Sequence, residues 1–251
     1  MMPMVALLIA ALCPPQQLPA AKFNVGEVLL FKLDALGADV GTFEIRVEPP
    51  PPGEKQLSAV QLSSRAKTNA FVATNIGRYD AYATALIARD FTPLHYREDL
   101  DENDQHKGTE LAFPPKDGTL AVQATKNGEP EPFTVQADDG VRDMISTLYV
   151  LRWLPINQPL CVEVFAGRKV WKFTGQIKAK EAIDTPVGRF PAVRFEGEGV
   201  RLDDAKVKRA ALVWLSDDER RLPLVAIGEV KGKTIRAQLI AAPGIRRAAK
   251  R

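Results

Sequence analysis

Residues 138–153 read DDGVRDMISTLYVLRW, the only clear amphipathic helix in a chain that otherwise reads as strands and turns. Val141, Met144, Ile145, Leu148 and Leu151 recur at helical spacing and form one apolar stripe, with Arg142, Asp143, Ser146 and Thr147 off it. Asp138 or Asp139 is placed to cap the amino end, and Arg152 suits the carboxyl end. Pro155 stops the run, because proline has no N–H to donate and disfavours helical geometry in the residue before it. This spacing predicts a helix from about Asp139 to Trp153. Each buried side chain of the stripe contributes about 2 kcal/mol, so the helix needs a sheet to cover.

On either side the sequence alternates as strands. NVGEVLLFKLDAL and GADVGTFEIRV come first, punctuated by Gly37 and Gly41, and Pro49 to Gly53 makes a stiff loop. Gln56 to Ser64, Phe71 to Ile76, Arg78 to Ile87 and Phe91 to Glu98 continue the pattern before the helix. Cys161 to Phe165, Val170 to Phe173, Gly175 to Ala179, Val187 to Glu196, Ala210 to Leu215, Leu222 to Val230 and Thr234 to Leu239 continue it afterwards. So many short strands with one helix imply a mainly β fold. The expectation is a single curved antiparallel sheet, like a half-barrel or β-spiral, wrapped around one central amphipathic helix.

Val5 to Leu12, VALLIAAL, is too short to span a bilayer and is followed by prolines and the small residues Ala20 and Ala21, the pattern of a secretory leader. The organisation read from this is a signal peptide over 1–21, one β-rich exported domain over 22–243 and a basic tail over 244–251. The protein is expected to be periplasmic or otherwise exported, with no membrane span once mature. Lipid anchoring at Cys13 is disfavoured, because Leu12 is too large for the position before a lipidated cysteine. With the leader removed, Cys161 stands alone and makes no internal disulfide.

The formal charge is +3, and Arg246, Arg247, Lys250 and Arg251 sit in the tail, so the body offers no nucleic-acid surface. GEVKGKT at Gly228 to Thr234 has one residue too few between its glycines for a phosphate loop and reads as a hairpin turn. The sequence carries no GxSxG, HExxH or CxxC, and its only histidines, His95 and His106, lie in a strand and a polar turn. Asp217 and Asp218 could serve as an acid–base pair for an envelope glycan hydrolase, but adjacent turn carboxylates usually diverge. The chain therefore reads as a non-enzyme without cofactor or metal. Tyr149 and Arg152, three apart on the helix, suit either a ligand headgroup or anchoring of helix to sheet.

Three segments together resemble one family. Asp143 to Arg152 resembles its D-x-x-S-x-x-Y-x-x-R helix, Thr185 to Phe190 its T-x-x-G-x-F hairpin, and Val213 to Pro223 its V-W-x-S-D-D-x-x-R-x-P segment. The family is the exported bacterial domain of unknown function 3108, and the resemblance runs from Phe23 to about Ile240. It implies an exported, β-rich protein without an established activity, and it marks Asp143, Tyr149, Arg152, Trp214 and Asp217 as ligand-binding or helix-to-sheet anchoring residues. The functional expectation is a lipid or lipoprotein acyl chain held in the concave sheet. The alternative is a packed interaction module that pairs a sheet edge with another envelope protein.

Overall fold

The computed structural model describes residue 13 and residues 23–53, 59–230 and 232–244. The first half contains β1 (Val28–Ala35), β2 (Ala38–Glu48), β3 (Ala59–Thr68), α1 (Ala70–Asn75), β4 (Tyr79–Ala88), β5 (Pro93–Glu102), β6 (Gln105–Ala112), β7 (Thr119–Lys126), β8 (Glu129–Pro130) and β9 (Phe133–Gln136). The second contains β10 (Arg142–Asp143), α2 (Met144–Trp153), β11 (Leu160–Ala166), β12 (Lys169–Thr185), β13 (Gly188–Arg201), β14 (Asp204–Ser216), β15 (Pro223–Val230) and β16 (Lys233–Ala241).

These strands form one open, curved 16-stranded sheet. β1 to β8 is a meander in which each strand pairs antiparallel with the next, β11 to β16 is a second, and β16 pairs with β1 to join them. β9 folds back on β7, and β10 pairs parallel with β11. The segment with α2 is therefore the crossover from one edge of the sheet to the other. The edges come together through Arg168 in the β11–β12 turn, which donates to the carbonyls of Gly108 (2.9 Å) and Thr125 (2.7 Å) and to Thr109 Oγ1 (3.2 Å).

Alternate residues of the strands point inward, among them Leu29, Phe31, Ile45, Val47, Leu62, Ala83, Ala85 and Ile87. α2 packs against β3, β4, β10 and β11, where the small side chains of Ala83 and Ala85 leave it room. Successive strands reverse direction, so alternate turns share an end of the sheet. The end with the β1–β2, β3–β4, β13–β14 and β15–β16 turns is called the rim, and the end with the β12–β13 and β14–β15 turns the base. At the base the tip of the β12–β13 hairpin puts Val187 into the core at 6% exposure.

Several expectations are corrected. The helix begins at Met144, and its cap is Asp143, whose Oδ1 accepts from the N–H groups of Ile145 (2.8 Å) and Ser146 (2.9 Å). Asp138 closes a turn instead, accepting from the N–H of Gly140, and the chain then pairs Arg142–Asp143 with Val164–Phe165 before it can coil. α2 has no polar face: Ser146, Thr147 and Arg152 are as buried as Ile145 and Leu151, while Met144, placed on the apolar stripe, is 55% exposed. The Ser146 and Thr147 hydroxyls tolerate burial because they donate to the Asp143 carboxylate and carbonyl. Phe71 to Ile76, read as strand, is mostly helix α1, capped by Asn69 Oδ1, so the described residues contain two helices. Gly175 to Ala179 is the middle of one continuous strand, β12, bulged between Ile177 and Ala179. Cys161 is not free: it is bonded to Cys13 across a Cα–Cα distance of 5.1 Å. Apart from Cys13, the 1–21 leader lies outside the described residues, as does the tail from 245 onward.

Candidate functional site

Arg152 leaves α2 toward the base of the sheet and is 4% exposed. Its Nη1 donates to Glu27 Oε1 at 2.6 Å and its Nη2 to Oε2 at 3.1 Å, a two-pronged ion pair, and Tyr149 Oη donates to the same Oε1 at 2.9 Å. The guanidinium also lies 4.8 Å from the Tyr149 ring centroid. A buried ion pair is tolerable only when its remaining polar atoms are satisfied. Here Nη2 donates to the carbonyl of Arg220 (2.9 Å) and Nε to that of Arg221 (3.2 Å). Burial pushes the Tyr149 hydroxyl well above its ordinary value, and the Glu27 carboxylate adds to the shift, so the phenol stays neutral and donates. Burial pulls Arg152 down, but Glu27 and Tyr149 outweigh it and the guanidinium remains charged.

Those two carbonyls are presented by the turn from Ser216 to Leu222. Asp218 Oδ1 accepts from Ser216 Oγ (2.7 Å) and from the N–H groups of Arg220 (3.0 Å) and Arg221 (3.2 Å), and Ser216 Oγ accepts from Leu222 N–H (2.8 Å). Arg221 adopts a left-handed φ of 46° within it. Partial burial would raise the Asp218 carboxyl, but the bonds from Ser216 and Arg220 hold it below its usual value. At the other end of α2, burial pushes the Asp143 carboxyl up against the hydrogen bonds from Ser146 and Ile145.

The five residues marked by the motifs thus separate. Asp143, Tyr149 and Arg152 are interior and bonded within the protein, whereas Trp214 and Asp217 face outward at the base. Lys180 Nζ pairs with Asp217 Oδ2 at 3.0 Å, Trp214 Nε1 donates to Glu181 Oε1 at 2.8 Å, Arg194 Nη1 reaches the same oxygen at 3.1 Å, and Asp217 N–H donates to Pro191 O at 2.9 Å. These contacts border an open cleft of about 500 Å³ lined by Lys180, Glu181, Ala182, Arg189, Phe190, Pro191, Ala192 and Asp217. The hairpin motif and the V-W-x-S-D-D motif therefore meet at one surface.

Beside the cleft runs a sheet edge. β11 pairs with β12 only up to Gly175, so among the described residues Gln176 to Thr185 has β13 on one side and no strand on the other. His95 and His106 lie at the surface against Glu110 and Asp101. No group of three His, Cys, Asp or Glu side chains with metal-binding geometry occurs among the described residues.

Glu27, Lys180 and Glu181 escaped the sequence reading. Glu27 had a signal, a lone carboxylate between Gly26 and the apolar run of β1. Lys180 and Glu181 had none, because their roles depend on how β12 registers against β13 and β14.

The fold resembles a crystal structure from Brucella abortus, a β-barrel-like protein of the domain of unknown function DUF1849. The TM-score is 0.60 at 11% identity, over 87% of this chain and 97% of that one. A Bacteroides fragilis protein, provisionally described as exported with a YmcC-like fold, aligns at 9% identity and TM-score 0.38 over 90% of this chain and 99% of that one. No curated protein matches the sequence. The sequence profile described as "Protein of unknown function (DUF3108)" matches residues 29–239, taking in the helix, the hairpin and the β14–β15 turn, and the chain belongs to that family.

Proposed function

We propose that the protein is a non-enzymatic interaction module of the cell envelope that binds an extended segment of a partner protein along the β12 edge and the adjoining cleft. The observation that carries this is the run from Gln176 to Thr185, ten residues of strand with one side unpaired among the described residues. An unpaired edge offers N–H and C=O groups to an added strand, and Phe190, Pro191 and Ala182 supply apolar surface for its side chains. Lys178, Lys180 and the bulge at Ile177 are devices that discourage indiscriminate pairing, and Lys178, exposed on the edge, favours an acidic group on the partner segment, Lys180 being held by Asp217. Export rests on the leader-like run Val5 to Leu12; cleavage at residue 21 would remove Cys13, so the Cys13–Cys161 bond belongs to a chain that keeps these residues. The hydrolase reading is weakened because Asp218 is occupied by its own turn and Asp217 by Lys180.

A lipid or lipoprotein acyl chain inside the sheet would occupy the space filled by α2 and the Val187 tip, so that reading needs one of them to withdraw. Cross-linking from the β12 edge in the native host, repeated with Lys178→Glu and Lys180→Glu together, separates the readings. The expected result is one stoichiometric protein partner, lost in the variant at unchanged melting temperature. Capture indifferent to the variant, or native mass spectrometry showing a stoichiometric lipid released on denaturation, would overturn the edge reading.

A further inference from the structure

Five of the eight large apolar side chains exposed among the described residues belong to the rim: Leu36 (103%), Phe71 (70%), Ile76 (73%), Leu202 (45%) and Val230 (51%). Four turns, β13–β14, β15–β16, β1–β2 and β3–β4 with α1, carry or adjoin them, and these turns are consecutive along the sheet. The turns therefore follow one another in an arc along the rim, while the remaining rim turns carry Asn103, Asp104, Asn127, Gly128 and Arg168. Leu36 is the sharpest case. With Gly37 it makes a two-residue hairpin turn at φ values of 51° and 84°, a place that suits Asn or Gly and strains a bulky side chain. A residue both strained and fully in water contributes nothing to the fold, so its value lies in a contact outside the monomer.

The charges on this arc are also uneven. Asp34 is paired with Lys32, Asp203 with Lys169, Asp204 with Arg201 and Glu229 with Arg209, and Asp39 accepts from Gly41 N–H. Lys206 and Lys233 are exposed with no carboxylate at ion-pair distance among the described residues, and Lys67 is exposed beside Asp80, whose carboxylate is held by Arg65. Apolar tips interspersed with free ammonium groups complement a surface with an anionic face and an apolar layer beneath it. A second copy would bring the same three lysines against these.

We propose that the rim arc docks the protein on an anionic phospholipid surface, with Leu36, Phe71 and Ile76 entering the boundary between headgroups and acyl chains and Lys67, Lys206 and Lys233 on the phosphates. The inference is independent of the β12 edge, which extends toward the base and so faces away from the membrane when the rim is docked.

The test is flotation of the full chain with vesicles of phosphatidylglycerol and phosphatidylethanolamine, against vesicles of phosphatidylcholine alone. Binding is expected to the anionic vesicles and to weaken with salt. It should fall by about tenfold or more in Leu36→Asn combined with Phe71→Ser and Ile76→Ser. Lys206→Glu with Lys233→Glu should lose the preference for anionic vesicles. All variants keep residues 1–21, so the differences report on the rim, and circular dichroism checks their folding. Absent binding, or binding unchanged in the apolar variant, overturns the proposal. So does self-association by light scattering that this variant abolishes, with no vesicle binding, which gives the arc to a second copy. The Lys178/Lys180 double variant should float like the parent, so failure of the edge reading leaves this result intact.

Discussion

At the base of the sheet, Arg152, Glu27, Tyr149 and the Ser216–Leu222 turn satisfy one another's hydrogen bonds away from water, whereas at the rim Leu36, Phe71 and Ile76 stand exposed. The base turns polar groups inward, and each becomes a liability if its partner goes. The rim turns apolar groups outward, where their removal costs the monomer almost nothing. Stability and recognition are therefore drawn from opposite ends of one sheet, and substitutions should sort accordingly.

The largest effect is expected at Arg152. Arg152→Ala leaves the Glu27 carboxylate buried and unpaired and should cost about 3–5 kcal/mol in urea unfolding. Glu27→Gln with Arg152→Met should recover part of that loss, short of the parent because the Arg220 and Arg221 carbonyls lose their donor. If Arg152→Ala were neutral, the contrast between the ends would fail.

Arg168→Ala removes the bonds to Gly108, Thr109 and Thr125 and the longer contact with Glu131, and should cost about 1–3 kcal/mol. Faster amide exchange should appear in β6, β7 and the β11–β12 turn, and not in β1 or β16. A loss spread evenly over the sheet would mean that the seam is not held by this side chain.

Asp143→Ala deprives α2 of its cap and should cost about 1 kcal/mol, while Asp143→Asn, which still caps and carries no buried charge, should cost less. Thermal melts of the two variants make the comparison. Acid acts in the same way on the β14–β15 turn. The Asp218 carboxyl is held below its ordinary 3.8, so its contribution is complete above that pH and is lost as pH falls through the lower folded-state value. Asp218→Asn should flatten that part of the acid-unfolding curve.

The smallest effect carries the opposite sign. Leu36→Asn should stabilise the protein by up to about 1 kcal/mol, because Asn tolerates the left-handed turn, while weakening vesicle binding. A destabilised Leu36→Asn would show that the rim serves the fold after all.

What the amino acids alone determined was the β-rich class, the existence of a helix ending at Trp153, the polar turn after β14 and the family. Each rests on local information: alternation of period two, helical spacing, turn residues and short motifs. The tertiary structure decided the rest. Whether Asp138 or Asp143 caps α2 depended on β10 pairing with β11, and whether Ser146 faced water depended on the helix running through the interior instead of over a surface. Tyr149 and Arg152 were visible as a pair, but their partner Glu27 lies 125 residues from Arg152, and only closure of β1 against the end of the helix brings it there. The arc at the rim was illegible for the same reason. The turns of Leu36 and Phe71 join those of Leu202 and Val230 in one arc only because β16 pairs with β1, a long-range register that no local pattern encodes.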